Sequence, residues 1–165
     1  MDTLAQPRLN LFAHETGARI GRRIHAVSQV IQASSLPGPV RELVQLRASQ
    51  MNGCGFCVDI HAKDASAAGE SADRLHLVAT WRHSTVFSEA ERAALELTEE
   101  GTRITDAHGG VPDATWDRVR AHYDEEQCVA LVALIAMINA TNRIGVILDN
   151  RGGAYRPGDL GTVAG

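Results

Sequence analysis

Apolar residues recur along this chain at helical spacing. Ile20, Ile24, Val27 and Ile31 fall on one face, which predicts an amphipathic helix over about 15–34. Pro37-Gly38-Pro39 interrupts the pattern. It resumes with Val40, Leu43, Val44, Arg47 and Met51 on one side of a second helix over about 40–52, and Gly53 is suited to end it. A third helix starts near Cys54 and runs to about Gly69. Ser71 reads as the cap of a short helix ending near Trp81. Ser88 with Glu91 spells a capping box that opens a helix over about 89–103. Gly109-Gly110 marks a turn, and Pro112 suits the first turn of a helix ending near Tyr123. A second capping box, Asp124 with Gln127, opens a helix over about 125–148. That helix is apolar nearly all round from Cys128 to Ile138, so it belongs in the core or in a subunit interface. Alternating β-branched runs bounded by turns are missing. The expected fold is all-α: one compact domain, 1–165, of about seven helices, with a core over about 15–150 and loose tails.

Composition narrows the function. With 165 residues and 44% hydrophobic content, the chain can bury a real core. A net charge of −4 gives no nucleic-acid footprint. No basic amphipathic stretch points to a membrane surface. The apolar run Cys128–Ile138 is short of the roughly 20 residues that span a bilayer. Met1 to Asn10 is polar and does not read as a secretory signal, so the expected location is cytoplasmic. In that reducing compartment a close cysteine pair is more often catalytic or metal-binding than structural. Aromatic residues make up only 4%, which gives no support to a stacked flavin or haem. No cofactor is expected, and phosphate-loop and nucleophile-elbow motifs are absent.

The informative stretch runs from Glu42 to His61. Cys54-Gly-Phe-Cys57 follows Gly53 and opens a helical pattern, so the pair sits at a helix N-terminus, where unpaired N–H groups and the helix dipole favour a thiolate. His61 lies four residues after Cys57, on the same helical face, where its imidazole can accept a thiol proton. If Gly53 joins two antiparallel helices, residue 42 is level with about residue 64. Glu42 is then offset from His61 by three residues, roughly 4.5 Å along the axis. A carboxylate so placed orients the imidazole, as the third member of a nucleophile–base–orienter array. Proximity to His61 favours Cys57 as the activated sulfur. A more exposed position at the helix start favours Cys54. Cys128, inside the apolar run, reads as a buried small hydrophobe. Asn139 and Asn142 interrupt the same helix, either bonding across a subunit interface or marking where it becomes exposed.

Glu42, Cys54-x-x-Cys57 and the following x-x-x-His61 resemble the signature of the alkylhydroperoxidase D-like branch of the carboxymuconolactone decarboxylase superfamily. Trp81, Phe87–Leu95 and Ile138–Arg143 are similar to recurrent stretches of that family. The resemblance implies a helical fold of the alkylhydroperoxidase D-like type and assembly into trimers or hexamers. It implies a cysteine pair cycling between dithiol and disulfide, with Glu42 and His61 as proton relay. It further implies reduction of a small hydroperoxide or disulfide substrate, or relay of electrons to a peroxiredoxin or other dithiol partner. One departure stands out: Phe56 occupies a position where some members carry a second histidine. Two alternatives compete. Cys54, Cys57, His61 and Glu42 could together bind zinc, although structural zinc sites usually draw on two separated ligand pairs. A non-redox, decarboxylase-like enzyme is the other, and the presence of both cysteines argues against it.

Overall fold

The helices stand where periodicity and capping residues place them. A computed structural model describes residues 6–106 and 109–162. Among them α1 spans Glu15–Gln32, α2 Gly38–Met51, α3 Gly55–Ala67, α4 Ala72–Leu77, α5 Glu89–Thr102, α6 Asp113–His122 and α7 Glu125–Ile147, and no strand occurs. The all-α expectation holds, and both capping boxes form: Ser88 with Glu91, and Asp124 with Gln127. The Ser71 hydroxyl accepts the Arg74 N–H at 3.3 Å. Three details differ. The helix expected to reach Trp81 stops at Leu77 and continues as a 3₁₀ segment, Val78–His83, kinked at Thr80. Pro112 caps α6 rather than entering it. A further helical turn, α8 (Asp159–Thr162), lies in the C-terminal segment.

The second helix is the centre of the fold, packing against α3, α5 and α7. It feeds two apolar clusters. Val40 and Val44 join Ile31, Ala94, Leu97 and Leu131 in one. Leu43 and Leu46 join Val78, Trp81, Phe87 and Leu95 in the other. Each large side chain fully buried in this way contributes about 1.5–3 kcal/mol. By length and composition alone the 23-residue α7 would suffice to cross a bilayer. It serves instead as a core helix, burying Leu131, Leu134, Ile135 and Ile138. Its opposite side is bare: Val129 is 62% exposed and Val132 48%.

The tails are tied down where the sequence suggests slack. Near the start, Arg8 donates its backbone N–H to the Leu148 carbonyl at 2.8 Å and a guanidinium N–H to the Ile147 carbonyl at 2.9 Å. After Asn150 the chain straps across α3. Asp59 accepts the N–H of Gly153 at 2.6 Å and of Tyr155 at 3.1 Å, while Lys63 pairs with Asp59 at 2.7 Å and donates to the Tyr155 carbonyl at 2.9 Å. The buried Tyr155 hydroxyl donates to Asp64. The glycines and proline that read as looseness serve to bend the strap. Residues 1–5 of the polar N-terminal segment and 163–165 of the tail lie outside the described residues.

A buried carboxylate locks α5 to α2 and to the 3₁₀ segment. Glu99, only 5% exposed, accepts from Arg47 Nε at 2.8 Å, Trp81 Nε1 at 2.9 Å and Arg82 at 2.9 Å. Burial pushes its carboxyl up, but the donors from Trp81, Arg82 and Arg47 outweigh burial and hold it below the usual carboxylate range. Removing Glu99 strands the half-hidden Arg47 guanidinium. We expect Glu99→Ala to lose about 3–5 kcal/mol in urea denaturation. Arg82→Ala, on a half-exposed partner, should lose less than about 1 kcal/mol. Because the folded carboxyl is depressed, its contribution is full above the unfolded value of about 4.3 and disappears as pH falls through the folded value. The stability gap between wild type and Glu99→Gln should therefore narrow in acid. A gap unchanged from pH 7 to pH 3 would contradict this.

Candidate functional site

Three residues join α2 to α3, and the middle one turns the chain. Gly53 adopts φ +67°, a left-handed conformation that glycine enters without a Cβ penalty. The Gly53 N–H bonds back to the Gln50 carbonyl at 3.3 Å and the Cys54 N–H to the Ser49 carbonyl at 3.0 Å. Two bonds of this pattern close α2 as a Schellman motif. The residue that completes the motif also starts the next helix. Cys54 is the N-cap of α3, and its Sγ accepts the Cys57 N–H at 3.3 Å. A sulfur thus takes the place usually held by a serine or aspartate oxygen.

The four residues singled out in the sequence form two bonded pairs. Cys54 and Cys57 are joined as a disulfide. His61 Nδ1 lies 3.1 Å from Glu42 Oε2 across the α2–α3 seam, closing directly the offset expected from the turn. With Nδ1–H donated to the carboxylate, Nε2 keeps its lone pair for a proton. The pairs share α3, and His61 follows Cys57 by one helical turn. In this disulfide form, among the described residues, neither sulfur has His61 as a hydrogen-bond partner. The sulfurs are buried, with Cys54 1% exposed and Cys57 5%. Cys54 is therefore not the more exposed of the two, contrary to the sequence expectation, because the strap and α7 close over the helix start. Phe56, at the departure from the family pattern, is half-buried.

Three features of the site were not read from the sequence. Gly145 of α7 lies against the disulfide: a Cβ there would stand 2.8 Å from Cys54 Sγ and 3.6 Å from Cys57 Sγ. A glycine inside an otherwise apolar helix costs about 1 kcal/mol relative to alanine, and that cost was the available signal. Gly152 of the strap is equally close-fitting, since a Cβ on it would run into the Gly55 carbonyl oxygen. Finally, Asn139 and Asn142 bond within this chain. Asn52 donates to both side-chain carbonyls at 2.9 Å, Asn142 donates to Ser49 Oγ at 3.0 Å, and Asn139 donates to Thr102 Oγ1 at 3.0 Å. This amide network fixes the end of α2 against α7, next to Cys54.

Cys128 is the free cysteine and is buried, near Arg120 at 3.8 Å and the Tyr123 carbonyl at 3.6 Å. Among the described residues, no group of three or more His, Cys, Asp and Glu side chains is arranged to hold a metal ion.

Comparison with known proteins agrees with this fold. The model of the carboxymuconolactone decarboxylase family matches residues 21–100. The chain is 47% identical over 118 residues to the uncharacterised protein YdfG of Bacillus subtilis, covering 72% of this chain and 79% of that one. It is 39% identical over 116 residues to the uncharacterised protein YnjA of Escherichia coli, covering 70% of this chain and 62% of the other. Among solved structures, an Agrobacterium tumefaciens protein of unknown function, named as a candidate antioxidant defence protein AhpD, superposes with a TM-score of 0.83 at 33% identity, covering 91% of this chain and all of that one. The debrominase Bmp8 shares the fold, with a TM-score of 0.74 at 19% identity over 84% of this chain and 74% of its own.

The contact at Gly145 makes a direct prediction. Gly145→Ala places a methyl group inside van der Waals contact distance of Cys54 Sγ. Overpacking of this kind typically costs about 1–3 kcal/mol, more than the gain in helix propensity returns. We expect Gly145→Ala to lower the urea midpoint of the oxidised protein, and an unchanged or higher midpoint would show that α7 does not press on the disulfide.

Proposed function

This chain belongs to the carboxymuconolactone decarboxylase superfamily, in its alkylhydroperoxidase D-like form, and we propose that it works as a thiol-dependent peroxidase or disulfide reductase. The observation that carries the reading is the bonded pair Cys54–Cys57 at the start of α3, one turn from a His61 already held by Glu42. In the reduced protein, His61 Nε2 accepts the proton of the Cys57 thiol. One thiolate attacks the terminal oxygen of a hydroperoxide. The O–O bond breaks, the leaving alkoxide takes up a proton to become an alcohol, and the sulfur becomes a sulfenic acid. The second thiol displaces water from it and restores the disulfide. A dithiol donor returns two electrons and two protons to close the cycle. A peroxiredoxin disulfide can replace the hydroperoxide as electron acceptor, through a mixed disulfide of the same geometry. A reducing cytoplasm suits a pair that must be recharged in each turnover.

The bare side of α7 supports a homo-oligomer. Val129, Val132, Ala136 and Ala140 form an exposed small-apolar stripe along it. We expect sedimentation of the wild-type protein at micromolar concentration to show a trimer or hexamer, and Val132→Glu to shift it toward monomer. A monomeric wild type would remove α7 as an interface.

The relay is tested by the rate at which hydroperoxide oxidises the reduced pair. Glu42→Gln keeps the shape and removes the charge. It should slow oxidation by about 10²–10⁴-fold, the usual contribution of a positioned base. His61→Ala should lose a comparable factor, and the double variant should be little worse than either, because the two act as a unit. Cys128→Ser should oxidise at the wild-type rate. Should Glu42→Gln stay within about twofold of wild type, roughly 0.4 kcal/mol, the carboxylate has no part in the chemistry.

A further inference from the structure

A concavity opens beside the amide network, at the junction of the α2 and α5 C-termini with α7. Its volume is about 400 Å³, and its walls include Arg47, Asn52, Arg103, Thr105, Asp106 and Arg143. Its lining is strongly polar and carries three guanidinium groups against one carboxylate. The cleft gathers this positive charge in a chain whose net charge is −4.

The three arginines are not equivalent. Arg47 is neutralised by Glu99, which takes both its Nε and its terminal nitrogen. Among the described residues, Arg103 has no side-chain partner, and no carboxylate lies within ion-pair distance of Arg143. Arg143 spends one terminal nitrogen on neutral acceptors, the Asn139 carbonyl at 2.9 Å and Asn139 Oδ1 at 3.3 Å. Asn139 is itself fixed by Asn52 and Thr102. The Arg143 guanidinium is therefore anchored at one corner by a rigid network. Its Nε–H and remaining terminal N–H groups keep their donors. That planar edge matches two oxygens of a carboxylate or phosphate, and prior anchoring reduces the entropy lost on binding. Counting Arg103, Arg143 and Asp106, with Arg47 and Glu99 cancelling, the cleft holds one surplus positive charge.

We infer that this cleft is a binding site for a small oxyanion, a carboxylate- or phosphate-bearing metabolite, with Arg143 as the bidentate anchor and Arg103 as the second cation. The site is distinct from the cysteine pair and does not depend on its redox chemistry. It touches that pair through the chain: Asn52 precedes Cys54 by two residues, and Arg143 precedes Gly145 by two.

The experiment titrates inorganic phosphate and citrate into the full-length oxidised protein at constant ionic strength and follows thermal stability. A ligand that binds only the folded state raises the melting temperature in a saturable, concentration-dependent way. The expected result is such a rise for citrate or phosphate in wild type. Arg143→Gln should weaken apparent affinity at least tenfold, and Arg143→Lys should recover only part of it, since it keeps the charge and loses the planar edge. Arg103→Gln, on an exposed side chain without partners, cannot disturb the fold and should weaken binding several-fold. Arg118→Gln removes one positive charge elsewhere, from a surface pair with Glu96, and should bind like wild type. The reduced wild-type protein should bind like the oxidised one, which separates this inference from the redox reading. Equal responses in wild type, Arg103→Gln and Arg143→Gln, or no saturable response, would overturn it. Dissociation of an oligomer by Arg103→Gln without any anion response would overturn it too, identifying the cleft as a subunit contact.

Discussion

The left-handed turn at Gly53 is the constraint on which the site depends. One residue reverses the chain, so α2 and α3 leave the turn antiparallel and in contact, with no slack between them. The register along the seam is then set by residue count alone. Eleven positions before the turn comes Glu42, eight positions after it comes His61, and the two meet at 3.1 Å. A side chain at position 53 would resist the left-handed conformation, and a longer linker would let the seam slide. Either change would separate carboxylate from imidazole without touching them.

Around that seam the protein uses polar locks where a small helical bundle usually relies on apolar packing. Glu99 gathers Arg47, Trp81 and Arg82, and Arg82 also lies 4.2 Å from the centre of the Trp81 ring. The Asn52, Asn139 and Asn142 amides tie the α2 terminus to α7. Asp59 holds the C-terminal strap, and its own carboxyl shows the balance. Burial raises it, but Lys63 and the N–H groups of Gly153 and Tyr155 together hold it below the ordinary range. Such groups are directional. They define one relative placement of the helices, whereas aliphatic contacts alone would tolerate several.

Local features were legible in the sequence, and long-range ones were not. Helix positions followed from apolar spacing, and starts followed from Ser71, Ser88 and Asp124, because a cap depends on residues three apart. The pairing of Glu42 with His61 could be reached by counting, since the turn between their helices is short and centred on Gly53. Asn52, which joins Asn139 and Asn142, lies about ninety positions from them and could not be reached in that way. Nor could the fit of Gly145 against the sulfurs, or the docking of residues 151–158, whose glycines suggested freedom. Exposure at the helix start was misjudged for the same reason. Whether a cap is open to solvent depends on what packs over it, and here the covering elements, α7 and the strap, come from the far end of the chain.

Cys54 Sγ has two occupations. It is half of the disulfide, and it is the atom that terminates α3 by accepting the Cys57 amide. Any group added to this sulfur must fit around that structural bond. A bulky electrophile attached at Cys54 would not merely block a nucleophile. It would push the first turn of α3 away from an α7 glycine that offers no room for the added group. Covalent labelling at this position is therefore a way to unfasten a helix, and reagents small enough to leave the cap intact would be needed to trap the thiol without disturbing the protein that carries it.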